Sequence, residues 1–151
     1  MNKAAIIFAA LVVSVISCGR EPKGIITQRS SDGRPIEWVY PISRDSYKIA
    51  IDSNDDSRPD IIKTFKNKEL LQIERDRNFD GRADLVQEYV RGTLTREIHD
   101  DNFDGKPETI DHFRKGKLAM VERDPKERGY IDIVEYYNDS GKLTRREVRV
   151  R

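Results

Sequence analysis

An all-β fold, an antiparallel meander of about ten short strands, is what this sequence predicts. Three observations carry the expectation. First, the chain repeats with a period of 24 residues, seen in the aspartates at 52, 76, 100 and 124. Second, short runs rich in aromatic and β-branched residues alternate with turn residues throughout. Third, 36% of the residues are charged, which leaves too little apolar side chain for a thick core. The sheet is therefore expected to be extended or curled, each repeat stacking on its neighbours, with a compact sandwich as the alternative.

Each unit divides in the same way. After an aspartate-rich loop comes a strand-like run: Asp60–Phe65, Asp84–Tyr89, Glu108–Phe113 and Asp132–Tyr137. A turn follows at Asn67-Lys68, Arg91-Gly92, Lys115-Gly116 or Ser140-Gly141. A second strand then starts at Leu70, Leu94, Leu118 or Leu143 and runs to the next loop. One period upstream, Asp32-Gly33-Arg34-Pro35 repeats the motif in degenerate form. The reading is thus a β-repeat domain over 28–151 made of about five units. The polar–apolar alternation is imperfect: Leu85 and Tyr89 share a face with Gln87 between them, while Val86 and Val90 point the other way. Trp38 is expected to cap the first repeat.

The start of the chain reads differently. Met1-Asn2-Lys3 is short and positive, Ala4–Val13 is unbroken apolar sequence, and Ser14–Ser17 extends it to Cys18. A span needs about 20 apolar residues, so this stretch fits the h-region of a secretory signal. Val15-Ile16-Ser17-Cys18 resembles the lipobox of bacterial lipoproteins, and Cys18 is the single cysteine in the chain. The resemblance implies a signal peptide over 1–17, acylation of Cys18 and a lipid-anchored tether over 18–27. Gly19 stands where an inner-membrane retention aspartate would stand in the enterobacterial sorting pattern, which favours the outer membrane over the inner. The chain carries 28 basic and 27 acidic residues. Loss of 1–17 removes Lys3 and leaves formal neutrality. That balance argues against a nucleic-acid partner, which calls for a basic face.

The acidic loops are the candidate sites. Asp76-x-Asn78-x-Asp80-Gly81-x-x-Asp84 and Asp100-x-Asn102-x-Asp104-Gly105-x-x-Glu108 fit the start of a calcium loop. Asp52-x-Asn54-x-Asp56-Ser57-x-x-Asp60 fits with serine for glycine. A hard cation takes six to eight oxygens at about 2.3–2.6 Å, and oxygens at alternate positions of a tight loop can wrap it. These loops resemble those of EF-hands, dockerins and thrombospondin type 3 repeats. The resemblance implies calcium ligands at the positions named. It departs from EF-hands in its strand-like flanks and at the twelfth position, which holds Lys63, Gln87, Asp111 and Glu135 in turn. Asp111 makes the third loop the best candidate. The Asp124 loop, with Lys126 and Arg128 at ligand positions, is expected to be inert. The other reading is metal-free: Asp and Asn build such turns by accepting backbone N–H bonds, and Arg58, Arg82 and Lys106 supply neutralising charge. The aromatic–turn–glycine–leucine segments 89–94 and 113–118 also resemble, weakly, bacterial MORN-like β repeats.

For function, the sequence points to a non-enzymatic structural or protein-binding module of the cell envelope, with a calcium-dependent adhesion or sensing module as the alternative. An enzyme is disfavoured. His99 and His112 are the only histidines and fall at different repeat positions, and no nucleophile elbow or phosphate loop is present. The acids recur with the repeat, as architecture does, whereas a catalytic pair would break the symmetry.

Overall fold

The computed structural model describes residues 24–126 and 128–149. The expected signal peptide, Cys18 and the tether as far as residue 23 lie outside them. The described residues form eleven strands: β1 (Ile25–Arg29), β2 (Pro35–Ser43), β3 (Ser46–Ile51), β4 (Ile61–Lys66), β5 (Glu69–Arg75), β6 (Leu85–Val90), β7 (Thr93–His99), β8 (Thr109–Arg114), β9 (Lys117–Arg123), β10 (Ile133–Tyr137) and β11 (Leu143–Val148). All lie in one sheet in chain order, each antiparallel to its neighbours. The meander is therefore present as expected, in a single layer, with β1 and β11 as its two edges rather than partners in a closed barrel.

One boundary moves. β1 begins at Ile25, inside the segment 18–27 that was expected to be a tether. Ile25-Ile26-Thr27 is β-branched throughout, and Ile26 pairs with Trp38 on β2. β propensity and backbone pairing with β2 outweigh the turn signals of Pro22 and Gly24, so the first degenerate copy gains a strand. Trp38 is itself buried, between Ile26 and Ala50 on the two flanking strands.

The connections separate by kind. Tight turns between β4 and β5, β6 and β7, and β8 and β9 stand at one end of the strands. The long loops 52–60, 76–84, 100–108 and 124–132 stand at the other. Arg91-Gly92 and Lys115-Gly116 have both φ angles positive, the conformation that a two-residue hairpin turn demands. Lys68 occupies the glycine position of its turn at φ 67°.

The core is a pair of thin rows, one on each face. Trp38, Ala50, Val86 and Val134 are buried on one face, Ile73 and Val121 on the other. Acidic or other polar side chains stand beside Ile73 and each of the three valines. Val86 sits between Glu74 and Ile98, Val134 between Glu122 and Glu147, and Val121 between Asp111 and Glu135. The aliphatic stems of such neighbours cover apolar surface while their heads reach water, which is how a single layer hides a valine completely. Stacking of Tyr47 on Phe65, centroids 4.8 Å apart, adds an aromatic cross-strand pair near the turn end.

Val121 and Val134 are each 1% exposed. Replacing either with alanine should cost about 1–3 kcal/mol in denaturant unfolding. Val90→Ala, at a position 58% exposed, should stay within about 0.5 kcal/mol. Equal costs at all three would contradict the two-row core.

Glu74 shows what the arrangement costs. Its Oε2 is buried without a hydrogen-bond partner, and burial raises its carboxyl pKa, with Lys48 offsetting part of the effect. A folded pKa above the unfolded one means that ionisation disfavours the fold. The penalty is absent below the unfolded pKa and complete above the folded one. Glu74→Gln should therefore raise the melting temperature at pH 7 and leave it unchanged well below pH 4.

Candidate metal loops and a repeat-breaking cluster

Each long loop is organised by the buried carboxylate at its first position. Asp76 accepts N–H bonds from Phe79 (2.6 Å) and Asp80 (3.2 Å) at Oδ1, and from Gly81 (2.7 Å) at Oδ2. Asp52 does the same for Asp55, Asp56 and Ser57, and Asp100 accepts from Asp104 and Gly105. The ninth position closes the loop from the other side. Asp84 Oδ2 accepts from Arg77 N at 2.7 Å and Asn78 N at 3.3 Å, and Asp60 and Glu108 hold the matching amides. Asn54, Asn78 and Asn102 each accept from the N–H two residues on, as do Asp56, Asp80 and Asp104. These are the side-chain-to-backbone turns of the metal-free reading.

The same geometry gathers oxygen. Among the described residues, Asp76, Asp80 and Asp84 present carboxylate oxygens within 4.8 Å of one another, and so do Asp100, Asp104 and Glu108. These donors suit a calcium ion, which takes only oxygens. Asp52, Asp56 and Asp60 form no such group; Asp60 is engaged instead by the Ser53 hydroxyl and two amides. Crowding shows in Asp84, whose pKa is raised first by burial and further by Asp76 and Asp80, against the lowering effect of its two amide donors.

The fourth loop is built on its own cation. The Arg128 guanidinium donates to both oxygens of Asp132, at 2.6 and 2.7 Å. Burial pushes the Asp124 carboxyl up, but backbone N–H groups of residues 126 and 128–130 outweigh it and hold the pKa below the usual range. Between loops, Arg77 reaches the Asp100 carbonyl and the Asp101 carboxylate, both at 2.9 Å. Of the three repeat-related cations, Lys106 comes within 4.0 Å of Asp104.

Asp111 stands elsewhere than expected. The twelfth position falls on β8, past the loop, and its carboxylate joins Glu97 and His99 of β7 rather than the Asp100 loop. The two best loops thus have equivalent ligand sets of three carboxylates. Glu97 and Asp111 are direct cross-strand partners, and His99 Nε2 lies 3.7 Å from an oxygen of each. Sequence reasoning took each histidine singly and missed this cluster. Part of the signal was available, since two repeat positions change character together, at 97 and 99. His112 is on the other face, with Nε2 2.9 Å from Glu122 Oε2; that hydrogen bond, foremost, lowers the Glu122 pKa.

No family model and no curated protein matches the chain. Among solved structures, the fold is similar to part of a structure of accessory secretory proteins 1, 2 and 3 in Streptococcus pneumoniae, at 20% identity and a TM-score of 0.48. The match covers 75% of this chain and 21% of that one, so this chain spans about a fifth of that neighbour's length.

The sixth loop position is left-handed in every copy described: Ser57 at φ 71°, Gly81 at 92°, Gly105 at 85° and Gly129 at 78°. An L-residue pays about 1–2 kcal/mol there, more than glycine's extra entropy of about 0.5–1 kcal/mol. Ser57→Gly should therefore stabilise the fold by several tenths of a kcal/mol or more. Gly81→Ala, whose Cβ would meet no atom within 4 Å, should destabilise it by about 1 kcal/mol through the backbone alone. Chemical denaturation of the two variants checks both signs.

Proposed function

We propose that the protein is a lipid-anchored, non-enzymatic lipoprotein of the bacterial cell envelope, acting as a structural or protein-binding repeat module. One observation carries the non-enzymatic part of this reading. The carboxylates that recur with the period are spent on their own backbone amides. What remains on offer is surface: two broad faces of mixed polarity along eleven strands in one layer. The lipobox resemblance at Cys18 supplies the anchor and, with Gly19, an outer-membrane destination. The partner is another envelope or surface protein.

Cell fractionation tests the anchor. Cys18→Ser should move the protein from the membrane fraction to the soluble one. A variant that still pellets with membranes after a high-salt wash contradicts lipid attachment at Cys18.

The calcium-dependent adhesion or sensing module stands as a second reading, favoured by the two groups of three carboxylates within 4.8 Å. On that reading calorimetry finds two weak events, at about 10⁻⁴–10⁻³ M, the range of extracellular modules. Asp80→Asn and Asp104→Asn each remove one, Asp132→Asn removes neither, and saturating calcium raises the melting temperature. If millimolar calcium gives neither heat nor a melting shift, the loops are connectors.

A further inference from the structure

The cluster of Glu97, His99 and Asp111 lies on β7 and β8, in the middle of the strand order, just short of the Asp100 loop, and it breaks the repeat. Where it has Glu97, the other units have Ile49, Ile73 and Val121. Where it has His99 they have Ile51, Arg75 and Arg123, and where it has Asp111 they have Lys63, Gln87 and Glu135. In one unit of four, an aliphatic residue and a residue that is basic in both flanking units give way to a carboxylate and an imidazole. A second carboxylate stands opposite them.

Without a cation the arrangement is unfavourable. Glu97 and Asp111 face each other directly across β7 and β8, and like charges so placed destabilise a sheet. The Arg123 guanidinium on the neighbouring strand is engaged by Glu135 instead, Nε to Oε2 at 3.2 Å. His99 Nε2 is shielded from solvent and has no hydrogen-bond partner. Its 3.7 Å separations from Glu97 Oε2 and Asp111 Oδ2 are too long for hydrogen bonds. They are close to another length. Donors bound to one four-coordinate ion at about 2.0–2.2 Å stand roughly 3.4 Å apart. The other Glu97 oxygen, Oε1, accepts from Gln87 Nε2 at 2.6 Å, which fixes the carboxylate with Oε2 turned toward the imidazole.

We propose that Glu97, His99 and Asp111 form a binding site for a divalent transition-metal ion of the zinc class. An imidazole nitrogen with two carboxylate oxygens suits zinc, whereas calcium takes oxygen alone. The three side chains are 19–23% exposed, so the fourth coordination position opens to one face of the sheet for water or a ligand atom of a partner. The site depends neither on lipid at Cys18 nor on calcium in the loops.

The test is a zinc titration of the full chain in detergent by calorimetry, with Cys18→Ser so that no thiol competes. Cobalt serves as the visible probe of four-coordinate geometry. One ion should bind, with intense cobalt d–d bands, and millimolar calcium should not displace it. His99→Gln, Glu97→Gln and Asp111→Asn should each weaken binding by about tenfold or more, and Gln87→Ala by about tenfold. The double variant Asp80→Asn/Asp104→Asn and the variant His112→Gln should bind as the parent does. Circular dichroism confirms that each variant keeps its sheet. Three outcomes overturn the proposal: no zinc heat, a zinc event unchanged in all three cluster variants, or an event lost with the loop carboxylates instead.

Discussion

A buried aspartate accepting its own loop's amides is the interaction on which the rest of this molecule depends. A chain that reverses direction without helix or tight turn leaves N–H groups unpaired, and burying them unpaired is costly. Here the first-position carboxylate takes two or three and the ninth-position carboxylate two more. The backbone of the same aspartate then reaches sideways. Asp76 N donates to Asp60 O at 2.8 Å, Asp100 N to Asp84 O at 2.9 Å, and Asp124 N to Glu108 O at 2.8 Å. Each loop is thus bonded to the one before it, and the strands inherit their register from that row. Because the side-chain period of a strand is two, a slip of one residue would invert both faces. The loop row prevents it.

This explains how a chain with 36% charge folds without a thick interior. The sheet does not bring apolar layers together. It lays each valine between long side chains from the adjacent strands, and the acids that would be liabilities in a core become hydrogen-bond acceptors at the rim. The aspartates at 52, 60, 76, 84, 100, 124 and 132 are buried, as Val86, Val121 and Val134 are. In most proteins a buried charge marks a functional site. Here it recurs with the period and carries the hydrogen bonds of its own loop.

The fold was legible because its signals repeat. The run-turn-run pattern, the glycine turns and the aspartates 24 apart each stated the meander several times over, so errors in one copy were corrected by the others. What was illegible was singular. β1 lacks a full repeat around it, and its place follows from the pairing of Ile26 with Trp38, twelve positions on, which no local pattern encodes. Asp111 was assigned by loop numbering. The strand that begins at Thr109 carries its side chain to a cross-strand partner instead, a matter of register rather than sequence distance. The cluster around His99 falls between the two cases. Its departures from the repeat are visible in the letters, but their convergence on one face needs the pairing of β7 with β8.

Every strand bonds only to its neighbours in the chain, and the two edges are unequal: β1 is exposed and almost uncharged, while β11 carries Arg145, Arg146 and Glu147. Opening such a ribbon has no single cooperative cost. A strand at either margin detaches by giving up one ladder, while a central strand must give up two. Amide protons should therefore exchange in a gradient, fastest at the margins and slowest around β6, β7 and β8. Glu97, His99 and Asp111 sit on that slow interior stretch, where the backbone beneath them is held from both sides.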